Sequence, residues 1–416
     1  MPVTTCAPKT FRASSARYSS NAFAGRGVVA LGVSGGVDSS VAALMLKREG
    51  LRVVGVSHRV WSSSSNPHVV AEKRAEEVCR RLDIPFFSID ITEEFRRRVI
   101  GDFLVRYREG LTPNPCVLCN EQIKFGIFPH LVRERLTREG ILDPHEPLFN
   151  ATGHYVKLKL SGIDTAERQS PQSPESQSPQ SQGLQSQKSD GEGDAAKPKI
   201  LLQRGVDRQK DQSYMLYRVD PRVLERCIFP LGSYKKSEVI QIAQEENLPA
   251  AGVGESQDIC FIEGNYIDYI EEHLGIKSQP GPIIDSEGRE LGRHRGYMHY
   301  TVGQRQGLGL SDGPWYVASL DAAANTVVVK RRDEVGTDRF SIGGFTLINP
   351  LPKEFEAQVM VRYNSKAVPC SVKARGEERG SADILLSETA VITPGQSAVF
   401  YDGDTVLGGG FILPPR

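Results

Sequence analysis

Residues 34–40 read Ser34-Gly35-Gly36-Val37-Asp38-Ser39-Ser40, and they separate an apolar run, Val28–Val33, from a run of helical periodicity, Val41–Glu49. The apolar run reads as a buried parallel strand, and Gly50 stops the helix. A glycine-rich turn between strand and helix lets the backbone approach an anion closely, where the free N–H groups of the helix N-terminus favour negative charge. The hydroxyls of Ser34, Ser39 and Ser40 add donors. No Lys-Ser/Thr pair follows a spaced glycine, so this is not the P-loop consensus. The plainer alternative is a turn capped by serines.

Working outward, a strand (Arg52–Val56), a helix (about Val69–Leu82), a strand (Phe86–Ile91) and a helix (about Thr92–Glu109) follow in alternation. That order predicts a doubly wound α/β parallel sheet, with ligands beyond the carboxyl ends of its strands. Strand-like runs at Leu148–Thr152 and Ile200–Leu202 flank a stretch from Ser161 to about Lys199 made of Ser, Gln, Pro and Gly. Such a stretch buries too little apolar surface to offset its ordering entropy, and it reads as a disordered insertion within one domain. Pro221 to Asn247 reads as helical. Beyond Gly281, short runs of Val, Ile, Tyr and Phe broken by Gly and Pro predict a small β-barrel. The expected partition is a leader (1–27), a nucleotide domain (28–218, with the insertion at 161–199), a central linker domain (219–285) and a C-terminal β-barrel (286–416).

Hydrophobic residues at 39% and charged residues at 25% fit an ordinary globular chain. No window approaches the roughly 18 consecutive apolar residues of a membrane span, so no membrane partner is expected. The formal net charge is zero, so any nucleic acid must be held by local basic patches. Seven cysteines, an odd number, suit a reducing compartment better than a disulfide framework. Cys6, Cys79, Cys227 and Cys370 lack a partner at motif spacing and read as plain thiols. The leader carries Lys9, Arg12, Arg17 and Arg26 among Ser and Ala, and the first acidic residue is Asp38. This pattern suits an organellar transit peptide, with the mitochondrion as the expected address and the plastid as the alternative. A disordered tail on a cytoplasmic protein is the other reading.

Two further blocks carry chemistry: Asn114-Pro115-Cys116-Val117-Leu118-Cys119-Asn120, continuing to Lys124-Phe125-Gly126, and Glu255-Ser256-Gln257-Asp258-Ile259-Cys260-Phe261. A lone C-x-x-C can be half of a zinc site, but no second pair stands at zinc spacing. Together with the loop, these blocks resemble the tRNA 2-thiouridylase family, within the N-type ATP pyrophosphatases. The resemblance continues in the family's order through Gly153-His154-Tyr155, Lys210-Asp211-Gln212-Ser213-Tyr214, Phe229-Pro230-Leu231-Gly232, Tyr300-Thr301-Val302-Gly303-Gln304-Arg305, Thr393–Tyr401 and Leu407–Gly410. It runs from Val28 to the C-terminus and omits the leader and the insertion.

The resemblance implies an ATP-dependent sulfurtransferase that adenylates the wobble uridine of tRNA and replaces its 2-oxygen with sulfur, releasing pyrophosphate and AMP. It implies ATP contacts from Gly32, Val33, Ser34, Gly35, Gly36, Val37, Asp38, Ser39, His58 and Gly153, with Asp38 as a candidate magnesium ligand. Loop N–H groups and Lys124 would stabilise the departing phosphates. His154, Lys210, Asp211, Gln212, Arg362, Tyr363 and Gln396 match positions that touch tRNA, and Asn114, Pro115 and Cys116 match the stretch beside the target base. Tyr363 packed inside the barrel is the alternative reading of that residue. In the family's persulfide scheme Cys260 carries sulfur received from a donor or carrier protein, and Cys119 frees it or closes a Cys119–Cys260 disulfide. Many relatives have Asp where this chain has Cys116. Cys116, Cys119 and Cys260 could instead ligate three irons of a [4Fe-4S] cluster, and both schemes stay open. Related enzymes that share the loop, or a tRNA-binding module without catalysis, are the rival readings.

Overall fold

The computed structural model describes residues 27–60, 67–161, 199–252, 259–376 and 380–415. The leader before Gly27, the insertion from Gly162 to Pro198 and the block Glu255–Asp258 lie outside the described residues. Seven strands form the first half: β1 (Val28–Gly32), β2 (Arg52–Arg59), β3 (Phe86–Asp90), β4 (Leu148–Ala151), β5 (Val156–Ser161), β6 (Lys199–Arg204) and β7 (Cys227–Ile228). Five of them make a parallel sheet in the order β3-β2-β1-β4-β7.

β1 is buried on both faces, which is why its sequence is a continuous apolar run rather than an alternating one. Side chains alternate across it with a period of two. Val29 and Leu31 pack against the helices Val37–Arg48 and Lys236–Glu245, through Val41, Leu44, Val239 and Ile242. Val28 and Ala30 face the opposite layer, with Phe95, Phe103, Val132 and Leu136. Because β2 lies on one side of β1 and β4 on the other, the sheet opens a crevice at the carboxyl ends of β1 and β4.

Three local expectations change. The helix expected over 92–109 is a continuous helical body, but its turn Arg96–Ile100 is widened to π geometry between Thr92–Phe95 and Gly101–Arg108. The helix expected over Pro221–Asn247 is broken into Pro221–Leu224, strand β7, a turn, and Lys236–Glu245. Pro230 supplies no backbone donor in that turn. Gly232 lies so close to Val156 that a Cβ on it would stand 2.0 Å from the Val156 carbonyl oxygen. Finally, β5 was not foreseen. It pairs antiparallel with β6, and Ser161 sits opposite Lys199. The Ser/Gln-rich insertion therefore leaves and re-enters the fold across a single paired rung.

The second half holds two β units where one barrel from residue 286 is expected. Strands β8 (Gly281–Ile284), β9 (Glu290–His294), β10 (Tyr316–Asp321) and β11 (Thr326–Lys330) form a four-stranded sheet in the order β10-β11-β8-β9. It has its own core of Ile283, Val302, Val317, Val327 and Val329. The β8–β9 hairpin straddles the expected boundary at residue 285. Strands β12 (Thr337–Leu347), β13 (Glu354–Met360), β14 (Val368–Arg375), β15 (Ser381–Ala390), β16 (Ser397–Asp402) and β17 (Thr405–Ile412) run β12-β15-β14-β13-β16-β17 and close through β12–β17. The two units share the same alternation of short apolar strands and glycine turns, so only the pairing separates them. β6 joins β17 at Gln203 and Thr405 and ties the first half to the barrel. Among the described residues no helix is long and apolar enough to cross a membrane.

The rung between Ser161 and Lys199 generates a test. Replacing Gly162–Pro198 with an Asn-Gly turn should close β5 and β6 as an ordinary hairpin and leave the melting temperature and activity unchanged. A loss of several degrees in a thermal melt would show that the insertion packs on the fold.

Candidate functional site

A cavity of about 220 Å³ occupies the crevice at the carboxyl ends of β1, β2 and β4. Gly32, Val33 and Ser34 enter it from the end of β1, Asp38 and Ser39 from the start of helix Val37–Arg48, and Val56 and His58 from β2. Thr152, Gly153 and His154 close it from the end of β4, and Lys124, Phe128, Val132 and Gln212 complete the wall. Phe128 meets the His58 ring edge-on at 5.6 Å, and together with Ala30, Val56 and Val132 it makes one end apolar. The other end is hydroxylated. Ser39 Oγ accepts from Ser34 N at 3.2 Å and donates to the Gly36 carbonyl at 3.2 Å, and Ser40 Oγ donates to the same carbonyl at 2.8 Å.

Gly35, Gly36 and Val37 do not line the cavity. They shape it. Gly35 has φ +74, and a Cβ there would meet the Ala71 carbonyl oxygen at 2.1 Å. Gly36 is the helix N-cap, and Val37 is buried beneath the loop. Gly153 is held against the loop's backbone, where a Cβ would lie 3.0 Å from both Asp38 C and Ser39 N.

The Asp38 carboxylate is engaged from within. Lys236 Nζ donates to its two oxygens at 2.7 and 2.9 Å, and Tyr155 Oη–H donates to Oδ1 at 2.6 Å. Lys236 is buried at the first turn of helix Lys236–Glu245 and was not singled out from the sequence, where it stands as one of two adjacent lysines four residues after the Phe229–Gly232 block. Magnesium is held by one or two carboxylates completed by substrate phosphates, and a single acid beside an anion-binding helix N-terminus fits that pattern. An ion there must share Asp38 with Lys236.

Cys119 opens a π-helical segment, Cys119–Ile127, that also presents Lys124 to the cavity. Pro115–Leu118 leads into it, capped by Asn114, whose Oδ1 accepts from Cys116 N at 3.2 Å. Cys116 and Cys260 are exposed and Cys119 is buried. Cys260 is anchored by its neighbour Phe261, whose ring meets Phe103 at 5.3 Å and Phe95 and Tyr269 at 5.7 Å each. Burial pushes the Cys119 thiol up to about 12, with Lys124 opposing the rise and Cys260 and Cys116 adding to it. Solvent reaches Cys116 and Cys260, yet the protein crowding them raises both thiols, again against Lys124. The three thiols thus feel one ammonium. Among the described residues, no three His, Cys, Asp or Glu side chains are arranged around a single metal ion.

The residues matched to tRNA contacts divide into three groups. His154 and Gln212 stand in the cavity wall. His154 Nδ1 is 2.7 Å from Thr152 Oγ1, and burial first, then Lys124, lowers its imidazole to about 3, so it is neutral at physiological pH. Asp211 is buried and holds a turn, accepting from Gly205 N, Ser213 N and Ser213 Oγ, while Lys210 beside it is half-buried. Arg362, Tyr363 and Gln396 lie at seams of the fold. The Arg362 guanidinium donates to the Val302 carbonyl and to Thr393 Oγ1, linking the four-stranded sheet to the barrel. The Tyr363 ring packs 5.9 Å from that of Tyr214 and is partly buried. Gln396 Nε2 donates to the Thr112 carbonyl at 2.7 Å, just ahead of the Asn114 cap.

Three family models match in series: the tRNA methyl transferase HUP domain over residues 27–264, the tRNA methyl transferase PRC-barrel domain over 267–331, and the Aminomethyltransferase beta-barrel domain over 337–412. The chain is 39% identical over 397 residues to the tRNA-specific 2-thiouridylase MnmA 2 of Thermoanaerobacter sp. (strain X514), covering 92% of this chain and 97% of that protein. It is 38% identical over 401 residues to the tRNA-specific 2-thiouridylase MnmA of Chloroflexus aggregans (strain MD-66 / DSM 9485), covering 93% and 99%. A solved structure, the U34-tRNA thiolase NcsA from Methanococcus maripaludis with its [4Fe-4S] cluster, aligns with TM-score 0.30 and 15% identity over 60% of this chain and 66% of that one. That likeness is too slight to bear on the cysteines here. Matched by family models across nearly all of its described length and by relatives over nine-tenths of it, the chain belongs to the tRNA-specific 2-thiouridylase family.

Proposed function

We propose that this protein uses ATP to adenylate the 2-oxygen of the wobble uridine of tRNA and then replaces that oxygen with sulfur carried by its cysteines. The observation that supports this reading best is Lys124: one ammonium that lines the loop's cavity and acts electrostatically on Cys116, Cys119 and Cys260. A reaction that must first stabilise leaving phosphates and then sustain a sulfur nucleophile needs positive charge at that junction.

The N–H groups at the start of helix Val37–Arg48 and the hydroxyls of Ser34 and Ser39 hold the phosphates, and the apolar end beside Phe128 and His58 takes the adenine. Asp38 together with the phosphates would hold magnesium, which when bound offsets phosphate charge. The uridine 2-oxygen attacks the α-phosphorus, its bond to the bridging oxygen breaks, and pyrophosphate leaves. Neutral His154 serves as a hydrogen-bonding wall, not as an acid. A persulfide on Cys260, charged by a sulfur-carrier protein, attacks carbon 2 through its terminal sulfur, and the carbon–oxygen bond breaks to release AMP. Cys119 then attacks Cys260 Sγ, leaving sulfur on the uridine and a Cys119–Cys260 disulfide, which an external thiol reduces.

The tRNA has a seat beside this site. An open cavity of about 640 Å³ is framed by Arg204, Arg208 and Gln209 on one side and Gln358, Asn364 and Ser365 on the other, between the Lys210–Gln212 and Arg362–Tyr363 segments. Arg204 stacks on the Tyr401 ring at 4.1 Å and donates to Met360 Sδ, and Arg208 pairs with Asp404 at 2.7 Å, a partner that a phosphate would have to displace.

Two outcomes are expected. The wild-type protein should form AMP from ATP only when tRNA is present, and Cys119→Ser or Cys260→Ser should abolish thiouridine, read by mass spectrometry of digested tRNA, while tRNA-dependent pyrophosphate release continues. Thiouridine at the normal rate in either variant would remove that cysteine from the chemistry.

The second outcome is a pH profile. With the Cys119 thiol raised by burial and His154 held near 3, the release of thiouridine in single turnovers should climb steadily from about pH 6.5 to 9 as the Cys119 thiolate accumulates, without an inflection near 6.5. A bell-shaped profile with a limb near 6.5 would show a titrating histidine and overturn the neutral role of His154.

A further inference from the structure

Nucleotide enters this cavity against a carboxylate. Asp38 sits on the helix N-terminus where the phosphates are drawn, and the Lys236 ammonium covers both of its oxygens at 2.7 and 2.9 Å. The Lys236 side chain is 11% exposed against 34% for Asp38, so the lysine stands behind the acid rather than beside it in open solvent. Its backbone N–H is fixed by Asp207 Oδ2 at 2.9 Å, and its ammonium lies 5.9 Å from the Tyr155 ring centroid. The backbone is anchored while a flexible four-carbon stem carries the charge, which suits a cation that can change partner.

We infer that Lys236 is an active-site residue that occupies Asp38 until nucleotide arrives and then moves onto the phosphates, so that metal and nucleotide enter together. The inference rests on the reading of the cavity as an ATP–magnesium site. A divalent cation and an ammonium that share one carboxylate weaken each other's hold, because the like charges repel at that separation. A free metal ion therefore competes with a buried, preorganised ion pair and loses. A metal ion bound to ATP brings anions with it, and these give the displaced ammonium a new partner within the reach of its stem. Lys236 then sits on the phosphates that depart, and it retains pyrophosphate until Asp38 takes it back.

The test uses manganese as the probe. Free Mn²⁺ is followed by electron paramagnetic resonance as it is titrated into the full-length, nucleotide-free protein, and the wild type should bind it weakly. In Lys236→Met the ion pair is gone, and Mn²⁺ affinity without nucleotide should rise at least about tenfold. The same variant should show a KM for ATP, and an inhibition constant for pyrophosphate, each raised by at least about tenfold. Lys236→Arg keeps the charge and should keep the exclusion of Mn²⁺. A thermal melt checks that each variant folds. Tight Mn²⁺ binding by the nucleotide-free wild type overturns the inference even if no variant folds, and so does a folded Lys236→Met with wild-type Mn²⁺ affinity and KM. If the wild type makes no AMP with ATP and tRNA, it is the reading of the cavity that fails, a result distinct from either of these.

Discussion

A buried ion pair between Arg218 and Glu121 holds the parts of this molecule in register. Arg218 Nε and Nη2 grip the two Glu121 oxygens at 2.7 and 3.1 Å, and its Nη1 donates to the Gly344 carbonyl at 2.7 Å. The side chains are 7% and 9% exposed. Glu121 belongs to the π-helical segment that bears Cys119 and Lys124, and Gly344 belongs to β12 of the barrel. One guanidinium therefore fixes the sulfur-bearing helix against the C-terminal unit. Removing either partner would strand a buried charge at a cost of roughly 3–5 kcal/mol. Gly344 has φ +58, and a Cβ there would lie 3.3 Å from Arg218 Nη1, so the position suits glycine on both counts.

The segment that carries Arg218 works as a buckle. Asp211 tightens its turn, Gln212 exchanges hydrogen bonds with the Tyr155 backbone, and the Met215 carbonyl receives Asn120 Nδ2 at 3.1 Å. Tyr214 and Tyr217, both fully buried, reach Ser397 at 2.7 and 3.1 Å. The cavity wall, the thiol helix and β16 are thereby set by about eight consecutive residues. A π-helical turn is a poor hydrogen-bonding solution on its own, and it persists where surrounding contacts over-determine it. Here Arg218 and Asn120 are those contacts.

This explains what was legible in the chain and what was not. The Ser34–Ser40 loop could be read directly because its function is local: glycine, hydroxyl and helix start are contiguous, and the flanking strand is apolar on both faces. The thiols could be paired only through resemblance, because Cys119 and Cys260 come from distant segments. Lys236 was missed because its meaning lies in a partner 198 positions away, on the neighbouring helix of the same layer. Arg362 was named only through resemblance, and its bonds to Val302 and Thr393, from distant segments, could not be read locally. The broken helix after Pro221 turned on Gly232 meeting Val156, again a contact between distant segments. Local chemistry shows in sequence, and the choice between an internal and an external partner does not.

Cys116 shows how such a choice alters a site. It occupies the first turn of Pro115–Leu118 and stands exposed, and Lys124 acts on it as on the other two thiols. A carboxylate at this position would be ionised at neutral pH and would compensate the lysine's field. A thiol raised above its ordinary range is neutral instead, and it leaves that field to the remaining groups. The field matters most for Cys119, because burial opposes its thiolate and Lys124 is the group that favours it. A cysteine at this position therefore sets no negative charge against Lys124, whose field is left to Cys119 and Cys260.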